Sequence, residues 1–298
     1  MTAVHCAAKA LPVVLKPVDD ELLSSWIARH AEYYSVSPLA MLRHCLPDAT
    51  SLRAADLRLS SEQAARIALI FRSAPAEIRR MSHADIPQDA VRLRAPRAVQ
   101  TCLPCAQENA RRKVSAARLR SSFEGWRLTC RSCGSRLVEL GERGQPRSQE
   151  QGDMFAHLWH EALRGQNVFE DAIVHNNWQW ASPVHILRLL LVRRNCKSVD
   201  LSKGIDNGCT ANLIIPSLDE TVCRLNLGPL RPRSLILPIS IRPALLAAVS
   251  IVVDQGAEAL EVLAGATIGG YRAQFDKIVS QLRAEVRIRQ TVSQLLQS

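Results

Sequence analysis

Apolar residues recur at three- and four-residue intervals along most of this chain, while two-residue alternation is rare, so the burial they signal belongs to amphipathic helices. Behind Asp19 and Asp20, the residues Leu22, Leu23, Trp26, Ile27, His30 and Tyr33 form one such stripe and predict a first helix with an aspartate cap. Ser37-Pro38 caps a second, with proline in the first turn where its missing N–H is no loss, running through Met41 and Leu42 to near Pro47. Ser60-x-x-Gln63 is a capping-box pattern and opens a third helix, whose buried face is Ala64, Ile67, Ala68 and Phe71. Pro75 opens a fourth through Ile78 and Met81. The last two, at 62–72 and 75–82, are joined by so short a turn that the pair admits a helix-turn-helix; ordinary core packing explains it equally well. Glu77, Arg79 and Arg80 on its second helix are compatible with DNA contact.

Residues 141–152 are polar and rich in Gly and Pro, the composition of a linker. Helices are expected at 153–164 and 182–194, whereas 196–238 is punctuated by Pro and Gly and gives no clear period. Three more follow at 241–253, 257–263 and 270–296, broken at Gln255-Gly256 and Gly265. The last is expected to bury Phe275, Ile278, Leu282 and Val286, with Lys277, Arg283, Arg287 and Arg289 on a solvated face. The expected fold class is mainly α: a helical, helix-turn-helix-like unit over 1–90, a cysteine module over 91–140, the linker 141–152, and a helical C-terminal domain over 153–298. The apolar run 239–253 contains Arg242 and Pro243 and falls short of the roughly 20 residues that span a bilayer, so it reads as a core helix and no membrane role is expected. Residues 1–16 show no convincing secretory signal.

Charge changes this picture more than composition does. The net formal charge is +10, yet residues 1–90 balance to zero and 148–298 to +1, leaving +9 on 91–147. Twelve of the thirteen basic residues there are arginine, the side chain that forks onto phosphate. The competing reading is a solvated basic face with no partner.

That same segment holds two matching knuckles, Cys102-Leu-Pro-Cys105 and Cys130-Arg-Ser-Cys133, separated by 24 residues. Two residues between cysteines let both thiolates face one ion, and four thiolates at about 2.3 Å close a tetrahedral zinc shell with no open position. Closure implies a structural ion, not a catalytic one. The gap has room for a helix over 106–119 and a return through Phe123 and Trp126. Arg111, Arg112, Lys113, Arg118, Arg120, Arg127 and Arg131 are the candidate nucleic-acid contacts on this platform. Free thiols or a redox pair are the alternative for the cysteines. The total of nine is odd, and Cys6, Cys45, Cys196, Cys209 and Cys223 are unpaired in sequence, so a reducing cytoplasm is expected. His157-x-x-His160 beside Glu161 is not the zinc-protease spacing, and no phosphate loop, nucleophile elbow or paired carboxylates appear, so no enzyme is expected.

The order of these features resembles the TniQ family, the target-selection proteins of bacterial transposons. Asp20-Glu21-Leu22-Leu23-Ser24-Ser25-Trp26-Ile27-Ala28-Arg29 looks like its opening helix, Ala64 to Met81 like its small helical unit, and Cys102 to Leu137 like its zinc knuckle. The similarity covers roughly the first 140 residues. Family members commonly have His before the glycine where this chain has Cys133-Gly134, a change that keeps a tetrahedral ligand. The resemblance implies a non-enzymatic recruiter, located with the nucleoid, that binds target DNA or a guide-RNA effector complex. It would hand the site to an AAA+ ATPase and a transposase. Homodimerisation is also among the expectations. The competing classes are a zinc-containing helix-turn-helix transcription regulator and a protein scaffold with a purely structural knuckle.

Overall fold

The computed structural model describes residues 9–87, 90–112, 117–141, 144–146, 154–175, 177, 180–205, 208–233 and 236–297. Cys6, Lys113, most of the expected linker and the side chains of Arg287 and Arg289 lie outside the described residues. Among the described residues the chain is mainly helical, and no helix is long and apolar enough to cross a membrane.

The chain divides into two units, and the first comprises the residues up to Ile86 together with Arg97–Glu124 and Thr129–Leu137. Most of the cysteine segment therefore falls in one compact unit with the N-terminal helices. Helices α1 (Leu23–Tyr33), α2 (Pro38–Cys45), α3 (Leu52–Leu57), α4 (Ser61–Ile70) and α5 (Pro75–Arg80) surround a core centred on Trp26, Ile27, Leu42, Ile67, Phe71 and Ile78. Strand β1 (Gln100–Thr101) and helix α6 (Leu103–Arg111) follow.

Local capping chemistry forms as expected in two places. Ser37 accepts from the Ala40 amide, and Ser60 and Gln63 exchange both bonds of a capping box, at 3.1 and 3.0 Å. The start of α1 differs from expectation. Asp20 is not its cap: the Leu23 amide donates to the Met81 carbonyl, and the Ser24 amide donates to Asp56 Oδ1 of α3, 32 residues away, at 2.9 Å. The carboxylate does the job of a capping residue, but it is supplied across the core. Helix α3 was not foreseen, although Ser51 caps it through the Ala54 amide at 3.1 Å. Helix α6 ends at Arg111 instead of continuing to 119, because Leu119 is already in an antiparallel bridge with Glu21.

His30, fully buried, holds the N-terminal strap onto this core. Its Nε2 accepts from the Leu15 amide at 2.8 Å, and Nδ1 lies 2.8 Å from the Trp26 carbonyl, which fixes a neutral ring with the proton on Nδ1. Burial pushes its pKa below the ordinary value. The unfolded chain therefore binds the proton more readily, so stability is full above about pH 6.5 and declines as pH falls below it. Urea unfolding at pH 7.5 and 5.5 checks this: the loss at pH 5.5 is expected to shrink in His30→Gln, and an equal loss in both proteins would refute the assignment.

The second unit comprises Pro87–Pro96, Gly125–Leu128 and the chain from Val138 onward. It contains strand β2 (Val138–Glu139) and helices α7 (Trp159–Val174), α8 (Pro183–Leu190), α9 (Ser198–Ser202), α10 (Leu218–Arg224), α11 (Arg242–Gln255), α12 (Ala257–Gly265) and α13 (Gly269–Gln297). Helix α11 is buried almost all round and packs on α7. The approach is so close that a Cβ on Gly165 would lie 2.0 Å from the Leu246 carbonyl oxygen, which leaves glycine as the residue that fits. The unpatterned stretch 196–238 is organised by charge: Arg194 bridges Asp219 and Asp200, both at 2.9 Å. On α13, Phe275, Ile278 and Leu282 are buried as expected, while Val286 is only half-buried. His157 and His160 are exposed.

Candidate metal centre and its cleft

Cys102 is the residue just before α6 and Cys105 lies in its first turn, so the first knuckle sits at the positive end of the helix dipole, where thiolates are favoured. The second knuckle is a tight loop closed by an antiparallel bridge between Thr129 and Arg136. Within it the Cys130 amide donates to the Ser135 carbonyl at 2.8 Å and the Gly134 amide to the Cys130 carbonyl at 3.0 Å. Gly134 has φ +72°, a left-handed conformation that explains glycine after the fourth cysteine.

The four sulfurs converge. Cys102 and Cys133 are 3.3 Å apart, Cys105 and Cys133 3.5 Å, Cys105 and Cys130 3.7 Å, and all four lie within 4.8 Å of one another. A tetrahedron of 2.3 Å metal–sulfur bonds has edges of about 3.8 Å, whereas a disulfide needs about 2.05 Å. The site thus has the geometry of a metal shell, and the four cysteines are free thiols. Among the described residues no other group of His, Cys, Asp and Glu forms such a cluster. Burial pushes the Cys102 thiol up to about 12 and Cys105 upward also, while hydrogen bonds from Ser135 hold Cys133 down to about 6. A divalent ion bound by all four sulfurs supplies the positive charge that four adjacent thiolates require.

Around this centre the opening stretch of the chain acts as a clamp. The Arg120 amide donates to the Asp20 carbonyl at 2.8 Å, the Leu22 amide to the Arg118 carbonyl at 2.8 Å, and the Arg118 amide to Ser25 Oγ at 2.8 Å. The Glu21 carboxylate accepts from Ser25 Oγ and twice from Arg29, at 3.0, 2.9 and 2.8 Å. The Asp-Glu-Leu-Leu-Ser-Ser-Trp-Ile-Ala-Arg run thus forms the seat on which the return segment of the cysteine module rests. Asp20, at φ +58°, turns its carboxylate to the Ser121 amide at 3.0 Å.

Sequence reasoning missed Glu124, whose carboxylate is 0% exposed. Arg131 approaches it at 3.5 Å, Arg120 at 3.8 Å and His83 at 4.0 Å, and Arg131 also lies 4.0 Å from Asp20. Burial, then the Glu124 charge, push the Asp20 pKa upward. Beside this network opens a cleft of about 930 Å³, lined by Cys105 and Cys133 and by equal numbers of acidic and basic side chains, five of each.

The candidate nucleic-acid residues therefore divide. Arg111 and Arg112 have side chains 78% and 70% exposed at the end of α6, each near Glu108, and Arg118 is exposed. Arg120 and Arg131 turn inward to Glu124, and Arg120 also donates to the Arg80 carbonyl. Arg127 lies in the second unit, its side chain 4% exposed and paired with Glu170. Lys113 is outside the described residues.

As a class this is a small helical domain with a candidate four-cysteine metal centre docked on its opening helix. Residues 12–137, less than half of the chain, match the model of the TniQ family, whose proteins are associated with target selection in transposition. No curated protein and no solved structure matches the chain.

Proposed function

We propose that this protein is a non-enzymatic target-selection adaptor of DNA transposition, with one zinc ion on Cys102, Cys105, Cys130 and Cys133. The observation that carries the reading is the coincidence of the TniQ match, residues 12–137, with the unit containing the four converging sulfurs. In this role the protein binds target DNA, or a guide-RNA effector complex that reads it, and recruits an AAA+ ATPase and transposase. A closed thiolate shell has no open position for substrate, in keeping with an adaptor.

Direct contact with DNA falls to Arg111, Arg112 and Arg118, which are among the exposed arginines of the cysteine unit. Each phosphate they neutralise releases counterions, so affinity depends on salt. Titration of zinc-loaded protein with random duplex at several salt concentrations is expected to give a steep log–log slope. The slope should fall by about 2 in Arg111→Glu/Arg112→Glu. Unaltered slope and affinity in that variant would remove these residues from the interface. Weak, salt-independent binding of every duplex would mean that target DNA is reached only through another reader.

A further inference from the structure

We infer that the C-terminal unit carries a second polyanion site, a basic cleft between the segment Pro229–Arg233 and the first turns of α13, shaped for the phosphodiester backbone of a nucleic acid. Two adjoining concavities, about 260 and 610 Å³, share Pro232, Arg233 and Gln274 and form one trough. Arg188, Arg193, Arg231, Arg233 and Lys277 line it, and among the described residues lining it there is no Asp or Glu. This contrasts with the cleft beside the cysteines, where acids and bases balance. It is also local, because residues 148–298 as a whole carry a net charge of only +1. Several acids of this unit are paired elsewhere: Asp200 and Asp219 with Arg194, Asp254 with Arg164, Glu220 with Lys203, and Asp276 with Arg272.

Three features favour phosphodiester over another anion. Four of the five bases are arginine, whose planar fork matches paired phosphate oxygens. Tyr271 lies within the trough with the Arg193 guanidinium 5.1 Å over its ring, an aromatic–cation pair of the kind that receives a sugar or base. Prolines 229 and 232 restrict the segment that presents Arg231 and Arg233, which lowers the entropy lost when these side chains engage a ligand. Arg231, Arg233 and Lys277 are exposed, so their charges are accessible, while Pro232 and Ile278 are buried and fix the floor.

The inference rests on the nucleic-acid reading above only for the class of ligand, and it can fail separately. The test is binding of full-length protein to a fluorescent random 30-base-pair duplex and to a single strand of equal length, between about 50 and 200 mM salt. Three proteins are compared: the parent, Arg231→Gln/Arg233→Gln/Lys277→Gln, and Arg111→Glu/Arg112→Glu. The triple variant is expected to bind at least one of the two probes about tenfold more weakly or worse at low salt, with the slope reduced by about 2 to 3. Because the three side chains are exposed and replaced by neutral glutamines, its thermal midpoint should match the parent. Unchanged affinity and slope would overturn the site, whatever the Arg111/Arg112 variant does. So would competition by polyglutamate as effective as that by nucleic acid, since the trough would then be a seat for an acidic protein segment. Loss in the triple variant with none in Arg111→Glu/Arg112→Glu would support this site while refuting the cysteine-unit contacts.

Discussion

Purified full-length protein is expected to contain one zinc ion per chain by elemental analysis, and Cys130→Ser is expected to lose it. Cys102 and Cys130 are buried, and helix α6 between them buries no side chain, whereas the return segment does bury Leu119 and Phe123. An ion held by the four sulfurs would cross-link α6 to the return segment, a tie that α6 does not get from burial. Structural zinc contributes on the order of 10 kcal/mol, comparable to the whole stability of a small domain. Metal loss should expose residues 97–137 to limited proteolysis. Helices α1 to α5 should persist, because the core built on Trp26, Ile67 and Phe71 contains none of the four cysteines. Acid should mimic the substitution, since protons compete for the thiolates. A metal-free preparation with the same thermal midpoint and protease resistance as the parent would sink the structural role. Stoichiometric iron in place of zinc would keep the staple and change its ion.

Glu124→Gln is the second substitution expected to have a large effect. Its carboxylate is buried with Arg120, Arg131 and His83 around it, so neutralising it removes the buried negative charge that the two arginines share, with Asp20 still 4.0 Å from Arg131. A cost of about 3 kcal/mol is expected, at the lower end of values for broken buried pairs because Arg131 retains some solvent. Chemical denaturation measures it. The double variant Glu124→Gln/Arg131→Gln should lose less than the sum of its two singles, because both remove the same interaction. Strict additivity, or a single-variant cost below about 0.5 kcal/mol, would show that the network does not hold the return segment to the opening helix.

This network also bears on function. The charge excess of residues 91–147 looks in sequence like one basic surface. In the folded unit Arg120 and Arg131 face Glu124, and Arg127 faces Glu170 within the second unit, so the excess is divided between internal neutralisation and display. Arg111, Arg112 and Arg118 belong to the displayed part, with Arg92, Arg97 and Arg136. The trough containing Arg231 and Arg233 lies in a stretch whose net charge is almost zero, which is why counting charge along the chain passed over it.

What could be read directly from the chain is what depends on neighbours three or four residues away. Ser37 before Pro38, the Ser60–Gln63 box and both Cys-x-x-Cys pairs act through backbone geometry that short spacing dictates, and each appears where the residues imply. The same local signal, Ser51 three residues before Ala54, was available for α3 but lacked a long apolar stripe behind it. Partner choice across the fold was not readable. Asp56 caps α1 from 32 residues away, Asp20 serves Ser121 instead of its own helix, and Glu124 draws two arginines from a basic segment. A guanidinium is satisfied equally by a carboxylate inside the protein or a phosphate outside it. Its sequence position does not distinguish the two; the packing that brings an acid within reach does.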